Sequence, residues 1–250
     1  MKQLPKLEII QLGKSFKQLL VLQDINLQVA QNELVCIVGA SGCGKSTLLN
    51  IIAGLMPPTA GEVLVDGEVV LGPGADRGMI FQNYSLFPWL TVAENIGFGL
   101  QLRSGSKSER IETVRYFLEV VGLTKFAQAY PKELSGGMKQ RVAIARSLAN
   151  QPEVLLMDEP FGALDAQTKE QMQQFLLQIW QQTHTTILMI THDVEEAIFL
   201  AQRVYVMTAH PGQIKQEISI KLPASRDLDI KLSPQFIDIK KEAIQLLRSP

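Results

Sequence analysis

Cysteine is scarce: the chain of 250 residues has two, Cys36 and Cys43. That excludes a disulfide scaffold and predicts a reducing, cytosolic compartment. No stretch reaches the roughly 18 uninterrupted apolar residues of a membrane-spanning helix. The most apolar windows, Val154–Met157 and Thr186–Ile190, are strand-sized. The opening MKQLPKLEIIQLGK lacks an apolar run followed by a small-residue cleavage site, so no secretory signal is expected there. Neither sign of charge dominates: 24 Lys and Arg stand against 25 Asp and Glu, a net charge of -1. That balance argues against a protein held mainly by nucleic-acid phosphates. Internal repeats and long low-complexity runs are also missing. What remains is 46% hydrophobic and 20% charged, a globular composition. The length suits one large domain or two small ones.

The order of elements is mixed α/β. Leu7–Ile10 and Gln28–Val29 are predicted as short strands, and Leu34–Val38 as a buried one by its continuous apolar, β-branched content. A helix from Lys45 to about Ala53 follows a glycine-rich turn. Val63–Val65 and Glu68–Val70 flank Asp66-Gly67, a hairpin signal. Gly78–Phe81 is expected as another buried strand. From about Thr91 to Asn150 the period turns helical, with a polar break at Arg103–Arg110 and a helix over Gly137–Ala149. Strand signals return at Val154–Met157, Thr186–Ile190 and Arg203–Thr208, separated by helical stretches at Ala166–Gln181 and Val194–Ala201. That alternation predicts a mostly parallel sheet with crossover helices. After Gly212 an edge strand, a polar linker and a helix near Pro234–Leu247 are expected.

Gly39-Ala40-Ser41-Gly42-Cys43-Gly44-Lys45-Ser46-Thr47 fits G-x-x-x-x-G-K-[ST], placed after a buried strand and before a helix. Glycines let this backbone curl so that its N–H groups face a polyphosphate, and the helix N-terminus adds partial positive charge. Lys45 can reach the β- and γ-phosphates, and the Ser46 hydroxyl can ligate Mg²⁺. Cys43 is taken as a spectator in the loop.

Val154-Leu-Leu-Met-Asp158-Glu159-Pro160 delivers two carboxylates at the C-terminal edge of a buried strand, where open α/β sheets bind ligands. Asp158 is expected to hold Mg²⁺ through water, and Glu159 to act as general base for an attacking water. By itself the pair could equally cap a helix before Pro160. A third feature, Leu134-Ser135-Gly136-Gly137-Met138, opens a helix and makes a second anion site. One nucleotide cannot easily fill both loops of one chain. The simplest geometry is a head-to-tail dimer with ATP between one chain's phosphate loop and the other's Ser-Gly-Gly loop.

In this combination, from roughly Leu7 to Gly212, the sequence resembles the nucleotide-binding subunits of ATP-binding-cassette (ABC) transporters. The resemblance implies a P-loop NTPase (RecA-like) α/β core with a mostly parallel sheet, an N-terminal antiparallel β subdomain and an inserted helical subdomain. It also implies a single ABC ATPase domain over 1–250. Residues 1–90 and 151–212 would be the core, 91–150 the helical signature subdomain and 213–250 a short tail. Phe16 stands where the family stacks an aromatic on adenine. Gln82 matches the loop glutamine that contacts Mg²⁺ and the attacking water. Leu134–Met138 resembles the signature LSGGQ, with Met138 in place of Gln. Ala163-Leu164-Asp165 resembles the loop that meets the partner chain, and His192 the histidine that senses the γ-phosphate.

Asn83–Ile96 is rich in aromatic and apolar residues for a loop. In the family this surface receives a helix of the membrane subunit, as an apolar groove suits an amphipathic helix. Leu86, Phe87 and Trp89 would alternatively pack inside the helical subdomain. Phe87-Pro-Trp-Leu-Thr-Val, the Gly-Gly-Met signature and Met207–Gly212 resemble the importer ATPases for nitrate, bicarbonate, sulfonate and taurine, a pattern shared by importers of pyrimidine vitamin precursors. The implied machine is two ATPase subunits, identical or paralogous, on the cytoplasmic face of the inner membrane. They would sit beneath integral permease subunits, served indirectly by an extracytoplasmic solute-binding protein, with no nucleic acid. A soluble ABC ATPase of the iron–sulfur-assembly type shares every catalytic motif. DNA-repair relatives need a long coiled coil between Lys45 and Ser135, where no heptads occur, and translation-factor types carry two cassettes.

Overall fold

The computed structural model describes residues 4–103 and 105–248. Two long antiparallel strands come first, β1 (Leu7–Phe16) and β2 (Leu19–Val29). β3 (Leu34–Gly39) runs into helix α1 (Lys45–Ile52). β4 (Ala60–Val65) and β5 (Glu68–Val69) form the expected hairpin, and β6 (Arg77–Ile80) follows. Three helices come next: α2 (Val92–Gly97), α3 (Lys107–Val120) and α4 (Gly136–Ala149). The chain then alternates β7 (Val154–Asp158), α5 (Ala166–Thr183), β8 (Thr186–Thr191), α6 (Val194–Leu200) and β9 (Arg203–Met207). It ends with β10 (Ile214–Ser219), a 3₁₀ turn at Leu228–Leu232 and α7 (Pro234–Arg248).

The strands form two sheets. The first is antiparallel, in the order β2-β1-β4-β5. The second runs β10-β9-β3-β8-β7-β6; its five strands β9, β3, β8, β7 and β6 are parallel, and β10 lies antiparallel at one edge. This is the α/β architecture with a mostly parallel sheet that the alternation of elements predicted. The apolar runs of the central strands are continuous because both faces are covered. Leu34, Cys36 and Val38 of β3 point into one hydrophobic cluster, with residues of α4, α5 and α6. Val35 and Ile37 point into the other, with α1 and the antiparallel sheet. β7 divides the same way, Leu155 and Met157 against Val154 and Leu156.

Three expectations shift. β1 and β2 are far longer than the predicted Leu7–Ile10 and Gln28–Val29. Their pairing slips between Ile9 and Leu12 and again between Leu12 and Lys14, with Gln11 at φ 46° and Asp24 at φ 47°. β2 buries Leu22, Ile25, Leu27 and Val29, so the step across Asp24 is three residues instead of two. Such bulges erase the strict alternation by which a strand is recognised. Among the described residues β6 is an edge strand paired only to β7, and of its residues only Ile80 is fully buried. α3 starts inside the expected polar break, because Ser106 and Glu109 form a reciprocal capping box at its N-terminus. Ser104, also in that break, lies outside the described residues.

The C-terminal segment packs onto the core, with Phe236 and Ala243 fully buried in the helical-side cluster. Just ahead of the 3₁₀ turn, Arg226 reaches the end of α6. Its Nη1 donates to the carbonyls of Ile198 (3.0 Å), Phe199 (2.9 Å) and Ala201 (2.9 Å), and its Nε donates to Pro223 O (2.7 Å). A cation there meets the negative end of the helix and its otherwise unpaired carbonyls. Burial lowers its pKa to about 10, so it keeps its charge at neutral pH. Arg226→Met is expected to cost about 2–3 kcal/mol, since three buried acceptors lose a charged donor together. Urea denaturation checks it; a loss below about 0.5 kcal/mol, the level of an ordinary surface change, would refute this account.

Candidate active site

β3 lies between β9 and β8, and its C-terminal end opens directly into the glycine loop. Gly44 is the N-cap of α1, at φ 103°. A Cβ there would sit 2.7 Å from Leu22 Cδ2 and 3.2 Å from Val21 Cγ1. Gly42 is also left-handed, at φ 78°, but faces open space. Lys45 is 5% exposed, and its Nζ donates to the carbonyls of Gly39 (2.8 Å) and Ala40 (3.0 Å) across the loop. Its ammonium is thereby held at the mouth of the turn. Cys43 points inward and is buried.

One cleft of about 360 Å³ gathers Ser41, Gly42 and Gly44–Thr47 with Val21, Gln82, Asp158 and Glu159. Ser46 Oγ donates to Asp158 Oδ1 at 3.2 Å, bridging α1 to the end of β7. Burial raises the Asp158 pKa above the usual carboxylate value against the hydrogen bond from Ser46, and the neighbouring charge of Glu159 adds to the rise. Glu159 itself turns out of β7 at φ 43°, with its N–H on Ile190 O at 3.0 Å. That turn sends its carboxylate towards β8, where His192 Nδ1 lies 2.9 Å from Glu159 Oε2. His192 is 59% exposed at its side chain and lies on the rim.

The segment carrying His192 is anchored from below. Asp193 caps α6 through the N–H groups of Glu195 (2.9 Å) and Glu196 (3.2 Å), and accepts from Lys169 Nζ of α5 at 2.6 Å. Lys169 also pairs with the buried Glu196 at 3.1 Å.

Of the expected residues, Gly39, Ala40, Cys43 and His192 adjoin lining residues without lining the cleft themselves. Phe16, at the end of β1, is not among its lining residues either; the residue is 42% exposed and Lys14 Nζ lies 5.1 Å from the centroid of its ring. Ser135, Gly136 and Gly137 are outside it as well. Ser135 caps α4, its Oγ accepting from Met138 N at 3.3 Å. A Cβ on Gly136 would meet Leu164 at 3.1 Å, so the signature turn and the Ala163–Asp165 loop are neighbours. Gly137 allows α4 close to α5, with Thr168 at 2.9 Å from where its Cβ would be.

Sequence reasoning missed three positions. Val21 lines the cleft. Gly162 sits beside Gln82 and Glu159: a Cβ on it would lie 3.6 Å from Gln82 Nε2 and 3.7 Å from Glu159 Oε2. Gly212 pairs with Val21 and Gln23 through its backbone, and a Cβ on it would come within 2.3 Å of Cys43 O. The 207–212 turn therefore packs against the back of the glycine loop. Only a glycine adjoining the Glu-Pro-Phe turn hinted at Gly162.

The aromatic loop packs in part inside the helical side, as the second reading expected, and leaves Trp89 outside. Leu86 packs against the helical-side core. Phe87 stacks on Phe98 at 4.3 Å and on Trp89 at 5.8 Å, and Trp89 is 70% exposed. Buried Asn95 sets this shape. It accepts from Phe87 N at 2.9 Å and donates to the carbonyls of Phe87, Leu90 and Thr91 at 2.9–3.1 Å.

The family model described as "ABC transporter" matches residues 22–162. The nitrate import ATP-binding protein NrtD of Synechocystis sp. is 57% identical over 252 residues, covering 97% of this chain and 95% of that protein. The taurine import ATP-binding protein TauB of Roseobacter denitrificans is 46% identical over 230 residues, covering 90% and 86%. Among solved structures, a dimeric post-hydrolysis ATP-binding cassette bound to ADP and Pi aligns at TM-score 0.74 and 34% identity, covering 87% of this chain and 100% of that one. The structure of cbiO1 from Clostridium perfringens, part of the ABC transporter complex cbiONQ, aligns at TM-score 0.82 and 25% identity, covering 98% and 97%.

The two left-handed glycines of the loop differ in surroundings, which makes them a test of its geometry. Gly44→Ala adds a close contact with Leu22 to backbone strain of about 1–3 kcal/mol, whereas Gly42→Ala carries the strain alone. Thermal denaturation is expected to lower the midpoint more for Gly44→Ala than for Gly42→Ala. The reverse order would contradict the described loop.

Proposed function

The chain belongs to the ABC transporter ATP-binding family, and from that premise we propose how its residues share the work of the cycle. It is an ATPase coupled to import. The observation that carries the proposal is the division of the site. Ser46, Asp158, Glu159 and Gln82 line one cleft, while the signature turn at Ser135 lies outside it.

In this reading the whole chain, 1–250, is one ABC ATPase domain. ATP lies with its phosphates against the backbone of Gly39–Thr47 and its γ-phosphate near Lys45, and Phe16 supplies the adenine platform. Ser135, Gly136 and Gly137 of a second subunit, identical or paralogous, close the other side. Glu159 accepts the proton of the attacking water, His192 holds Glu159 and faces the γ-phosphate, and Gln82 orients the water. Catalysis is mainly positioning and charge stabilisation. The donors facing the cleft suit Mg²⁺: a hydroxyl and a carboxylate 3.2 Å apart plus the Gln82 amide, all hard oxygen ligands. Ser46, Gln82 and Asp158 would hold the ion, which neutralises phosphate charge when bound.

The Phe87–Trp89 face is the dock for integral permease subunits. An apolar ledge held rigid by Asn95 and left exposed at Trp89 supports this. The solute is a small molecule of the nitrate, sulfonate or taurine type, delivered to the permease by an external binding protein. No helix among the described residues is long and apolar enough to cross a membrane. As the partner of integral permease subunits, it would sit peripherally at the cytoplasmic face of the inner membrane.

Glu159→Gln is expected to bind ATP and remain dimeric on it, while kcat falls by about 10²–10⁴-fold, the usual weight of a general base. Light scattering with ATP and a steady-state assay measure both; near-normal turnover removes Glu159 from the role. Ser135→Arg is expected to abolish hydrolysis while the monomer still binds ATP by fluorescence titration. Unchanged turnover in that variant would count against the shared site.

A further inference from the structure

Tyr84 and Ser85, just beyond Gln82, both adopt left-handed backbone, at φ 57° and 47°. Residues with a Cβ pay for that conformation and keep it only where neighbours impose it. The constraint comes from α4. Arg146 Nη1 donates to Ser85 O at 2.7 Å, and its Nη2 donates to Tyr84 O at 3.0 Å. The same guanidinium lies 5.5 Å from the centre of the Phe87 ring. At the opposite end of α4, a Cβ on Gly136 would lie 3.7 Å from Tyr84 Oη. The segment from Gln82 to Phe87 thus touches the signature helix at both its ends.

Arg146 is an expensive choice for mere packing. Burial lowers its pKa from the ordinary arginine value. Its hydrogen-bond and ring partners among the described residues are two carbonyls and an aromatic face, none of them charged. An apolar side chain fills such a space at lower desolvation cost. What the planar fork adds is two directed bonds to consecutive carbonyls, which hold one particular backbone shape.

We propose that Arg146 is a positioning residue that aims Gln82 into the cleft and ties it to the aromatic ledge. The proposal rests on the reading of Gln82 given above. Through this one side chain, a push on Phe87 reaches both the residue that orients water and the helix that begins at Ser135.

The test is a double-mutant cycle on the full chain: wild type, Gln82→Ala, Arg146→Met and the double variant. kcat and KM for ATP are measured with Mg²⁺ at a temperature where circular dichroism shows each folded. Arg146→Met is expected to lower kcat about 10-fold or more, as for a displaced catalytic group, with KM for ATP unchanged. The double variant should be as slow as Gln82→Ala alone, within about twofold. Arg146→Lys should recover part of the rate, and it carries the same cycle if Arg146→Met does not fold. Single effects that multiply in the double variant, or full kcat in Arg146→Met, overturn the proposal. Full kcat in Gln82→Ala overturns it too, and is told apart because it also removes the assigned role of Gln82.

Discussion

Strands β3, β7, β8 and β9 are covered on both faces, by helices on one side and by α1 with the antiparallel sheet on the other. Their interior is closed to polar chemistry, since a buried polar group without a partner is costly. Polar groups emerge where the covering layers end, at the carboxyl edge of the sheet. Gly39 leaves β3 there, Asp158 and Glu159 leave β7, and Thr191 and His192 leave β8. The Ser46–Asp158 and His192–Glu159 contacts are therefore consequences of strand order. β8 lies between β3 and β7, so the turns after all three converge on one opening.

The same rigidity explains why the signature turn stands apart. α4 is pinned to the sheet by a buried face running from Val142 to Ala149, and Gly137 brings its first turn against α5. Its exposed N-terminus is thus fixed at a distance from the glycine loop of its own chain. In the proposed cycle that turn serves the nucleotide of a second copy.

The phosphate loop, the acidic strand end and the alternation of strand and helix were legible because each is local. A buried strand declares itself by a run of apolar residues. A phosphate turn declares itself by glycines at fixed spacing, and the left-handed φ of Gly42 and Gly44 shows why those residues are required. The length of β1 and β2 was not legible, because bulges near Gln11 and Asp24 break the period that marks a strand. Val21 and Gly212 were hidden for a related reason. They reach the glycine loop through a pairing between segments far apart in the chain, which no short window contains. Asn95 and Arg146 appear in sequence as ordinary helix residues. Their role emerges only from the backbone groups they face.

By itself, then, the sequence determined which chemistry the chain carries, because those groups are specified by neighbours a few residues away. It also determined the class of fold, through hydrophobic period and the order of elements. Tertiary structure decided which side chains share a cleft and which do not. It placed Gly162 beside the Glu159 carboxylate, left Phe16 on an exposed strand end, and held the Gln82 segment by an arginine more than one motif away. Those outcomes depend on packing between distant segments, where burial, bulges and desolvation act on the chain as a whole.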